Sequence, residues 1–346
     1  MDFEKLYSKL PDFIKYNRFV LDFFLKIPKK LDKLNKKSRV NESHQQLFEL
    51  MLVHSDFKAK GTLRNIQLLY VELLRFIDNV CNKYSLNYWI SDGTLIGAVR
   101  HGGFIPWDDD IDVSILRGDY EKLIEILPKE IEKYDYFKQE CGLSLLRDNH
   151  ENYFKDFKSV YDVKGDVNLI DENKFMFLQI AWMEPFIKID FFPKCYLKEE
   201  KLDYFKKHFV STKYKFNQEI KNGIKNFDSE FKVKSKELGF TCNKTDYFND
   251  CIDALQLDPV WIYETSEVFP LEKINFEGYE FNCPKNIDFY LTVMFGPNYM
   301  HLPDVIETHN LIPFIESQFN SKEEMDEKFK KDIEYLREIN DNFNKK

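Results

Sequence analysis

The sequence contains no run of about 18 apolar residues, so it predicts no helix that could span a lipid bilayer. It has only 12 glycines and 12 prolines among 346 residues, too few for a fibrous or low-complexity protein. Positive charge is not in excess either, because 50 Lys and Arg residues face 59 Asp and Glu residues, a formal net charge of -9. We therefore expect no nucleic-acid partner, since contacts with phosphates require a basic surface.

The six cysteines include no C-x-x-C pair, and the two closest, Cys242 and Cys251, are nine positions apart. This spacing fits neither a zinc site nor a disulfide-rich scaffold. We expect all six thiols to be reduced and to pack as small apolar side chains. The first residues include Asp2 and Glu4 and no long apolar segment, which does not predict a secretory signal.

Apolar residues make up 43% of the chain and aromatic residues 16%, which is typical of a globular protein with a large core. Apolar side chains at helical spacing predict a helix over 63–84, with Thr62 as its N-cap. Polar and apolar residues alternate over 110–115 and 187–191, which predicts two strands, the second ended by Pro193. Because helices and strands interleave, we expect an α/β or α+β domain.

Three regions are predicted along the chain. Residues 1–60 form a helical extension, residues 61–310 a sheet-containing domain with a mostly helical insertion at 198–255, and residues 311–346 a charged helical tail. The stretch 15–39 is amphipathic and rich in lysine, which predicts either contact with an anionic membrane or a solvated lysine face. We expect a cytoplasmic protein, and membrane contact would place it at the inner face of the membrane.

Four carboxylates fall within five residues, at Asp108, Asp109, Asp110 and Asp112. Such close negative charges raise each other's pKa unless a cation lies among them, and oxygen ligands favour Mg²⁺, Mn²⁺ or Ca²⁺. If 110–115 is a strand, Asp110 and Asp112 point away from its apolar face. An EF-hand is not expected, because Val113 stands where that loop requires glycine.

A third acidic ligand is expected from a neighbouring strand, and Asp190 within 187–191 is the best candidate; the alternative is a surface acid paired with a lysine. Gly93 and Thr94 follow a short strand-like segment and begin a predicted helix. The N–H groups at the start of a helix bind phosphate, and glycine allows close approach. A strand, Gly-Thr, a helix and then a strand with Asp-x-Asp is the order found in metal-dependent nucleotidyltransferases.

Residues 88–112, YWISDGTLIGAVRHGGFIPWDDDID, closely resemble the signature of LicD-type proteins. This family comprises phosphocholine transferases and relatives, including the fukutin-related phosphoalditol transferases. Segments 188–193 and 268–303 also resemble the family, so that the resemblance extends over 62–305. It implies an α+β, nucleotidyltransferase-like fold of the polymerase-β type, with a mixed sheet flanked by helices.

The resemblance also implies a reaction and a site. The reaction is the metal-dependent transfer of phosphocholine, or a similar phospho-group, from a CDP-activated donor to a sugar hydroxyl of a cell-surface glycan or its lipid-linked precursor, with release of CMP. Mg²⁺ or Mn²⁺ would be held by three acids that match the family's metal ligands and that we also assign as catalytic: Asp110, Asp112 and Asp190. Donor-binding residues that match the family's phosphate loop and Arg-His pair are Gly93, Thr94, Arg100 and His101.

Four aromatic residues flank the motif, Tyr88, Trp89, Phe104 and Trp107. They predict either a surface that stacks on a base, a sugar or a choline headgroup, or plain core packing, and we assign Trp107 to substrate binding. Two other functions stay open. One is an Asp-x-Asp glycosyltransferase that uses a nucleotide-sugar, and the other is a non-catalytic glycan-binding relative. The run GTLIGAVR argues against the first, and the complete set of acids argues against the second.

Overall fold

The computed structural model describes residues 58–134, 144–149, 175–182, 187–221, 227–252, 260–302 and 311–343. The predicted extension up to residue 57, including the lysine-rich stretch, lies outside the described residues. One compact unit comprises 58–300 and the chain from 307 onwards. In the described ranges, no helix is both long enough and apolar enough to cross a membrane.

The described chain is a mixture of helices and strands, which confirms the expected α+β class. The helices are α1 (Thr62–Tyr84), α2 (Asp92–His101), α3 (Arg117–Ile131), α4 (Leu202–Lys221), α5 (Phe227–Leu238), α6 (Thr265–Val268), α7 (Ile287–Phe295), α8 (Leu311–Glu316) and α9 (Lys322–Asn342). The strands are β1 (Tyr88–Ile90), β2 (Ile111–Leu116), β3 (Ser144–Asn149), β4 (Phe175–Trp182), β5 (Ile187–Leu197), β6 (Phe240–Thr241), β7 (Tyr247–Asp250), β8 (Tyr263–Glu264), β9 (Glu272–Phe276) and β10 (Tyr279–Cys283).

The main sheet is mixed, with the strand order β1-β2-β5-β4-β3. Strands β2 and β5 are parallel, whereas β1 pairs with β2, and β4 with β5, in antiparallel fashion. β6 and β7 extend the sheet by pairing with the second half of β5, and β8 pairs with β7. Within the region predicted as a helical insertion, the structure therefore contains α4 and α5 together with two short strands of the main sheet.

Helix α1 buries the apolar face predicted from its sequence, since Ile66, Leu69, Leu73 and Ile77 are at most 1% exposed. The expected cap differs by one residue. Gly61 occupies the N-cap position and lies in the left-handed region with a φ of 63, which glycine adopts without strain.

The C-terminal helix α9 packs against α1. Its own N-cap is Ser321, whose side chain accepts a hydrogen bond from the Glu324 N–H. A polar contact joins the two helices in the core, where the buried Glu72 carboxylate of α1 accepts hydrogen bonds from Arg337 and Asn340 of α9.

The expectation that Pro193 ends its strand is wrong, because β5 continues to Leu197. The reason is a change of partner. β4 pairs with β5 as far as Phe191, and β7 pairs with it from Lys194 onwards. Pro193 lies between these two ladders, where β5 needs no N–H group for either partner, so the missing donor is tolerated.

The expectation of six reduced cysteines is also wrong, because Cys195 and Cys251 form a disulfide. Cys195 lies in β5 and Cys251 immediately follows β7, and the pairing of these strands brings their Cα atoms to 5.4 Å. This distance is typical of a disulfide. The two residues are 56 positions apart, so the sequence spacing gave no sign of the pair.

Candidate active site

The centre of the candidate site is the pair of parallel strands β2 and β5. Their register places Asp112 directly beside Asp190, and neighbouring strands lie about 4.8 Å apart. Both acidic residues are partly exposed. The residues on either side of them along the strands are fully buried in the core, namely Ile111, Val113, Ile189 and Phe191. Burial of this apolar face therefore fixes the spacing of the two carboxylates on the other face.

Asp110 lies in the loop directly before β2 and is also partly exposed. Its negative charge acts on both Asp112 and Asp92. Among the residues that the structure describes, no three His, Cys, Asp or Glu side chains are grouped closely enough to hold a metal ion. The assignment of Asp110, Asp112 and Asp190 as metal ligands therefore stays a prediction.

The electrostatics around Asp112 nevertheless fit a cation. Burial raises the pKa of Asp112 well above its usual value, and the charges of Asp110, Asp92 and Asp190 raise it further, with a smaller contribution from Asp108. Several carboxylates thus repel one another at this end of the sheet. A divalent cation bound among their oxygens would offset the repulsion, so the residues present fit Mg²⁺ or Mn²⁺.

Strand β1 ends at Ile90, and the turn that follows it forms hydrogen bonds with the backbone of β2. The Ser91 N–H donates to the Asp112 carbonyl oxygen at 3.1 Å. The Asp112 N–H in turn donates to Thr94 Oγ1 at 2.9 Å. The buried Thr94 hydroxyl therefore positions Asp112, and a direct contact between Thr94 and phosphate stays a prediction.

Helix α2 begins next to the acidic run. A Cβ atom added to Gly93 would lie 3.1 Å from Asp108 Oδ2, so the loop that carries the acids approaches the helix start at this glycine. Asp92, the first residue of α2, has a left-handed φ of 49. The N–H groups at a helix start attract anions, which is the property expected of a phosphate-binding turn.

The loop over 102–110, which carries Asp108, Asp109 and Asp110 and is called the acidic loop below, lies closely against α2. A Cβ atom on Gly97 would lie 2.5 Å from the Gly103 carbonyl oxygen and 3.0 Å from the Ile105 nitrogen. Both of these atoms belong to the backbone and cannot rotate away. Gly97 is therefore required for the close approach that sets the position of the acidic loop, a role the sequence analysis missed.

Glu277, in the turn between β9 and β10, fastens the same loop from its other side. Its carboxylate accepts a hydrogen bond from the Phe104 N–H at 3.2 Å, and its own N–H donates to the Gly102 carbonyl oxygen at 3.0 Å. Arg64 donates to both carboxylate oxygens at 3.0 and 2.7 Å, and Lys58 to one of them at 2.9 Å. Burial alone would raise the pKa of Glu277, but these hydrogen bonds and charges lower it below its usual value. The sequence analysis also missed this residue.

Arg100 and His101 lie at the end of α2 and contact each other. Arg100 Nε donates to His101 Nε2 at 3.0 Å, so the imidazole accepts at this nitrogen. Burial and the positive charge of Arg100 lower the pKa of His101 to about 4, which leaves it neutral at pH 7. Burial also lowers the pKa of Arg100, and the charge of Asp108 opposes this effect. The pair thus provides one positive charge near the acidic loop, and its contact with a donor stays a prediction.

The flanking aromatic residues divide into two groups. Tyr88 and Trp89 are fully buried and Phe104 is 5% exposed, so these three pack in the core. Trp107 is partly exposed in the loop before β2. Of the four aromatics, only Trp107 is therefore accessible to a ligand, and its assignment to substrate binding stays a prediction.

Comparisons with known proteins point to the same segment. The family model described as the nucleotidyltransferase domain of LicD, FKTN and FKRP matches residues 85–212, which include the turn, the acidic run and Asp190. The lipopolysaccharide cholinephosphotransferase LicD of Haemophilus influenzae is 33% identical over 108 residues, which are 31% of this chain and 38% of that protein. Human ribitol 5-phosphate transferase FKRP is 43% identical over 44 residues, 13% of this chain and 9% of that protein.

An uncharacterized protein of Rickettsia prowazekii is 45% identical over 58 residues, 17% of this chain and 22% of that protein. The chain therefore matches well under half the length of each of these relatives. Within the matched segment, the order of strand, Gly-Thr turn, helix and Asp-x-Asp strand is the one that the structure contains. The resemblance inferred from residues 88–112 is confirmed, because residues 85–212 match the nucleotidyltransferase domain model of LicD, FKTN and FKRP, and LicD of Haemophilus influenzae is similar over 108 residues.

Proposed function

We propose that the protein transfers phosphocholine, or a similar substituted phosphate group, from a CDP-activated donor to a sugar hydroxyl and releases CMP. The proposal rests chiefly on the register of β2 and β5, which sets Asp112 beside Asp190, and both of these residues are partly exposed. Two relatives support this class of reaction by name, since one is a cholinephosphotransferase and another a ribitol 5-phosphate transferase.

The diphosphate of the CDP-activated substrate is negatively charged, so its binding requires several positively charged groups or hydrogen-bond donors. The N–H groups at the start of α2, at Gly93 and Thr94, bind phosphate oxygens, and the planar guanidinium of Arg100 binds them with two parallel hydrogen bonds. Neutral His101 donates a hydrogen bond without adding charge, and Trp107 stacks on the base or sugar. Asp110, Asp112 and Asp190 would hold Mg²⁺ or Mn²⁺, which supplies positive charge opposite the diphosphate.

The acceptor hydroxyl needs a base while it attacks phosphorus. Asp190 accepts this proton, because it lies beside Asp112 and is partly exposed. A bond forms between the acceptor oxygen and the phosphorus atom, the bond from phosphorus to the CMP oxygen breaks, and CMP leaves with that electron pair. The backbone hydrogen bonds of Asp112 to Ser91 and Thr94 keep its carboxylate in place during the reaction.

Replacement of Asp112 or Asp190 by asparagine tests the proposal. Purified protein is given CDP-choline or CDP-ribitol with Mg²⁺ and an oligosaccharide acceptor, and CMP release is measured. We expect each variant to lose at least 100-fold in kcat, because the charge that binds the cation or accepts the proton is gone. Asp203→Asn, at an exposed position of α4, is the matched control and should keep full activity. Near-normal activity of either site variant would contradict the assignment.

The same assay separates the proposal from the two alternatives. UDP-sugars and GDP-sugars are tested in place of the CDP compounds, and turnover with these alone would favour a glycosyltransferase. A protein that binds the glycan but releases no nucleotide from any donor would favour a non-catalytic role.

The acceptor is proposed to be a cell-surface glycan or its lipid-linked precursor. The protein is proposed to act at the cytoplasmic face of the membrane, which it contacts through residues 15–39. The disulfide between Cys195 and Cys251 weighs against a reducing compartment, because thiols in the cytosol are normally kept reduced. Flotation with anionic liposomes, with and without residues 1–57, tests the membrane contact. Equal flotation of both forms would contradict it.

A further inference from the structure

One residue of helix α1 is polar, buried and hydrogen-bonded to the acidic loop. Gln67 is 1% exposed, and its amide nitrogen donates to the carbonyl oxygens of Asp108 at 3.0 Å and of Ile105 at 3.5 Å. Its helix neighbours Ile66 and Leu69 are fully buried in the core. A buried amide is costly unless it is hydrogen-bonded, so a polar residue at this place in the helix needs the loop carbonyls as partners.

Arg64, one turn earlier on the same helix, determines how this amide is oriented. Residues three positions apart lie on one face of a helix, and Arg64 donates to Gln67 Oε1 at 3.3 Å. A guanidinium has only donors, so it binds the oxygen of the amide and leaves the NH₂ group for the loop. Both hydrogen atoms of the amide nitrogen therefore have acceptors in the acidic loop.

The same guanidinium joins Gln67 to Glu277, which binds the first part of the loop. Arg64 donates to both Glu277 carboxylate oxygens at 3.0 and 2.7 Å, and this carboxylate accepts from the Phe104 N–H at 3.2 Å. Gly103 leaves room for it, since a Cβ atom there would lie 2.7 Å from the Glu277 carboxyl carbon. These three linked side chains, called the loop network below, therefore contact the loop from its first residues to the start of the acidic run.

The hydrogen bond from Gln67 fixes the backbone where the acidic run begins. The Asp108 N–H donates to the Ile105 carbonyl oxygen at 2.9 Å, and the Asp108 carbonyl oxygen accepts from Gln67, so both backbone groups of Asp108 have partners. Asp110 follows two residues later, and β2 begins at Ile111. The backbone that leads to Asp110 is therefore held by helix α1 before the chain enters the sheet.

We propose that Gln67 and Arg64 are positioning residues of the candidate site. They set the place of the acidic loop, and with it the place of Asp110, relative to Asp112 in β2. Neither residue touches the substrate or the cation, because Gln67 acts through the loop backbone and Arg64 through Gln67 and Glu277. This inference rests on the proposed function, in which Asp110 and Asp112 hold the cation, and it gives helix α1 a role beyond core packing.

Gln67→Met tests this role, because methionine is similar in length and lacks the amide. Arg64→Lys is the second variant, since lysine keeps the positive charge but lacks the planar fork that reaches Glu277 and Gln67 at once. The matched control is Asn65→Ala, which removes a hydrogen bond that runs from the same turn of α1 to Asp326 of α9 instead of to the loop.

Three quantities are measured for each variant and for the unaltered protein. The first is hydrogen exchange of the amides in 103–110 and in 322–342, without metal or ligand. The second is the affinity for Mn²⁺, from the paramagnetic resonance of the free ion, and the third is CMP release in the assay given above. The N–H groups of Gly103, Phe104 and Asp108 are all hydrogen-bonded, so their exchange reports directly on the loop.

We expect Gln67→Met to show at least tenfold faster exchange in 103–110 and less than twofold faster exchange in 322–342. Its affinity for Mn²⁺ and its kcat should each fall at least fivefold. Arg64→Lys should change the same quantities in the same direction by a smaller factor. The combined variant should lose less than the product of the two separate effects, because both residues belong to the loop network. Asn65→Ala should leave exchange in 103–110, Mn²⁺ affinity and kcat within twofold.

Unchanged exchange in 103–110 or unchanged Mn²⁺ affinity in Gln67→Met would overturn the inference. Equal acceleration in 103–110 and 322–342 would also overturn it, since it would mean general loosening. If Gln67→Met does not fold, Arg64→Lys decides between the same outcomes. If the unaltered protein binds Mn²⁺ but releases no CMP from any CDP compound, the proposed function is contradicted instead, and exchange and Mn²⁺ affinity still decide the role of Gln67 and Arg64.

Discussion

Asp112 is held by its backbone as well as by its place in a strand. β1 pairs with β2 only as far as Val113, and beyond this point the N–H and carbonyl groups of Asp112 bond to Thr94 and Ser91. A buried backbone N–H or carbonyl group that lacks a hydrogen-bond partner costs free energy, so these two contacts stabilise the turn. They therefore couple the position of Asp112, a candidate metal ligand, to the position of the turn over residues 91–94, which is proposed to bind phosphate.

Thr94→Val tests this coupling, because valine keeps the shape of threonine and removes the hydroxyl that accepts from the Asp112 N–H. The Asp112 N–H then loses its partner, and we expect the free energy of unfolding to fall by about 1–3 kcal/mol. We also expect kcat to fall at least tenfold, since Asp112 is less firmly placed. Chemical denaturation and CMP release measure the two effects.

Thr94→Ser is the matched control, since serine keeps the hydroxyl and loses only a methyl group, at a cost of about 1 kcal/mol. It should retain most of the transferase activity. If Thr94→Val were as active as Thr94→Ser, the hydrogen bond to Asp112 would have no role in positioning.

The sequence predicted where some residues of the candidate site lie and not where others lie, for physical reasons. The positions of Asp112 and Asp190 in two strands could be predicted because alternation in a strand depends only on neighbouring residues. The aromatic residues could not be divided in advance, because Trp89 and Trp107 have the same chemistry and differ only in burial. Burial depends on contacts from distant parts of the chain, as in the edge-to-face contacts of Trp89 with Phe248 and Phe269.

At the scale of elements, the acidic loop is held between α2 and the β9–β10 hairpin. Gly97 allows the loop backbone to lie against the helix, and Glu277 binds the loop from the hairpin side. The loop is thus fixed at both faces before it enters β2. A displaced loop would move Asp108 and Asp110 relative to the helix start at Gly93.

Gly97→Ala should displace this loop. The added Cβ atom would lie 2.5 Å from the Gly103 carbonyl oxygen, so the backbone must move, and overpacking of this kind costs about 1–3 kcal/mol of stability. We expect a lower melting temperature and a loss of activity larger than the loss of stability explains. Thermal unfolding and CMP release at a temperature well below unfolding measure both.

Gly118→Ala in α3 is the matched control, because a Cβ atom there has no neighbour within 4 Å. Alanine is a better helix former than glycine, so this variant should be as stable as the unaltered protein or slightly more stable. A Gly97→Ala protein that behaved like Gly118→Ala would show that the loop does not need the close approach.

Elements with local signals were predicted well. The helix expected over 63–84 is α1, and its signal arises from apolar residues a few positions apart. The length of β5 was not predicted, because Pro193 is tolerated only through the exchange of β4 for β7 as the partner strand. That exchange depends on pairing between segments far apart in the sequence.

At the scale of the whole molecule, two adjacent side-chain links, an ion pair and a disulfide, join β5 to β7 and the residue after it. Lys194 pairs with Asp250, and the residues that follow them, Cys195 and Cys251, form the disulfide. The ion pair lies on the face of the sheet that carries the candidate site. The disulfide belongs to a second, smaller core with apolar residues of α4, such as Phe205 and Phe209. This junction therefore links the insertion over 198–255 to the strand that carries Asp190.

Replacement of both Cys195 and Cys251 by serine tests the junction. The crosslink closes a loop between residues 56 positions apart, and its loss should lower the free energy of unfolding by about 2–4 kcal/mol because the unfolded chain gains conformational freedom. Denaturation without reductant should show this difference, and reductant should bring the unaltered protein close to the variant. Cys242→Ser, at an exposed free cysteine, is the control and should change nothing.

Alkylation of the protein isolated without reductant should leave Cys195 and Cys251 unmodified. Their full alkylation would show that the disulfide does not form in the cell and would favour the cytoplasmic location.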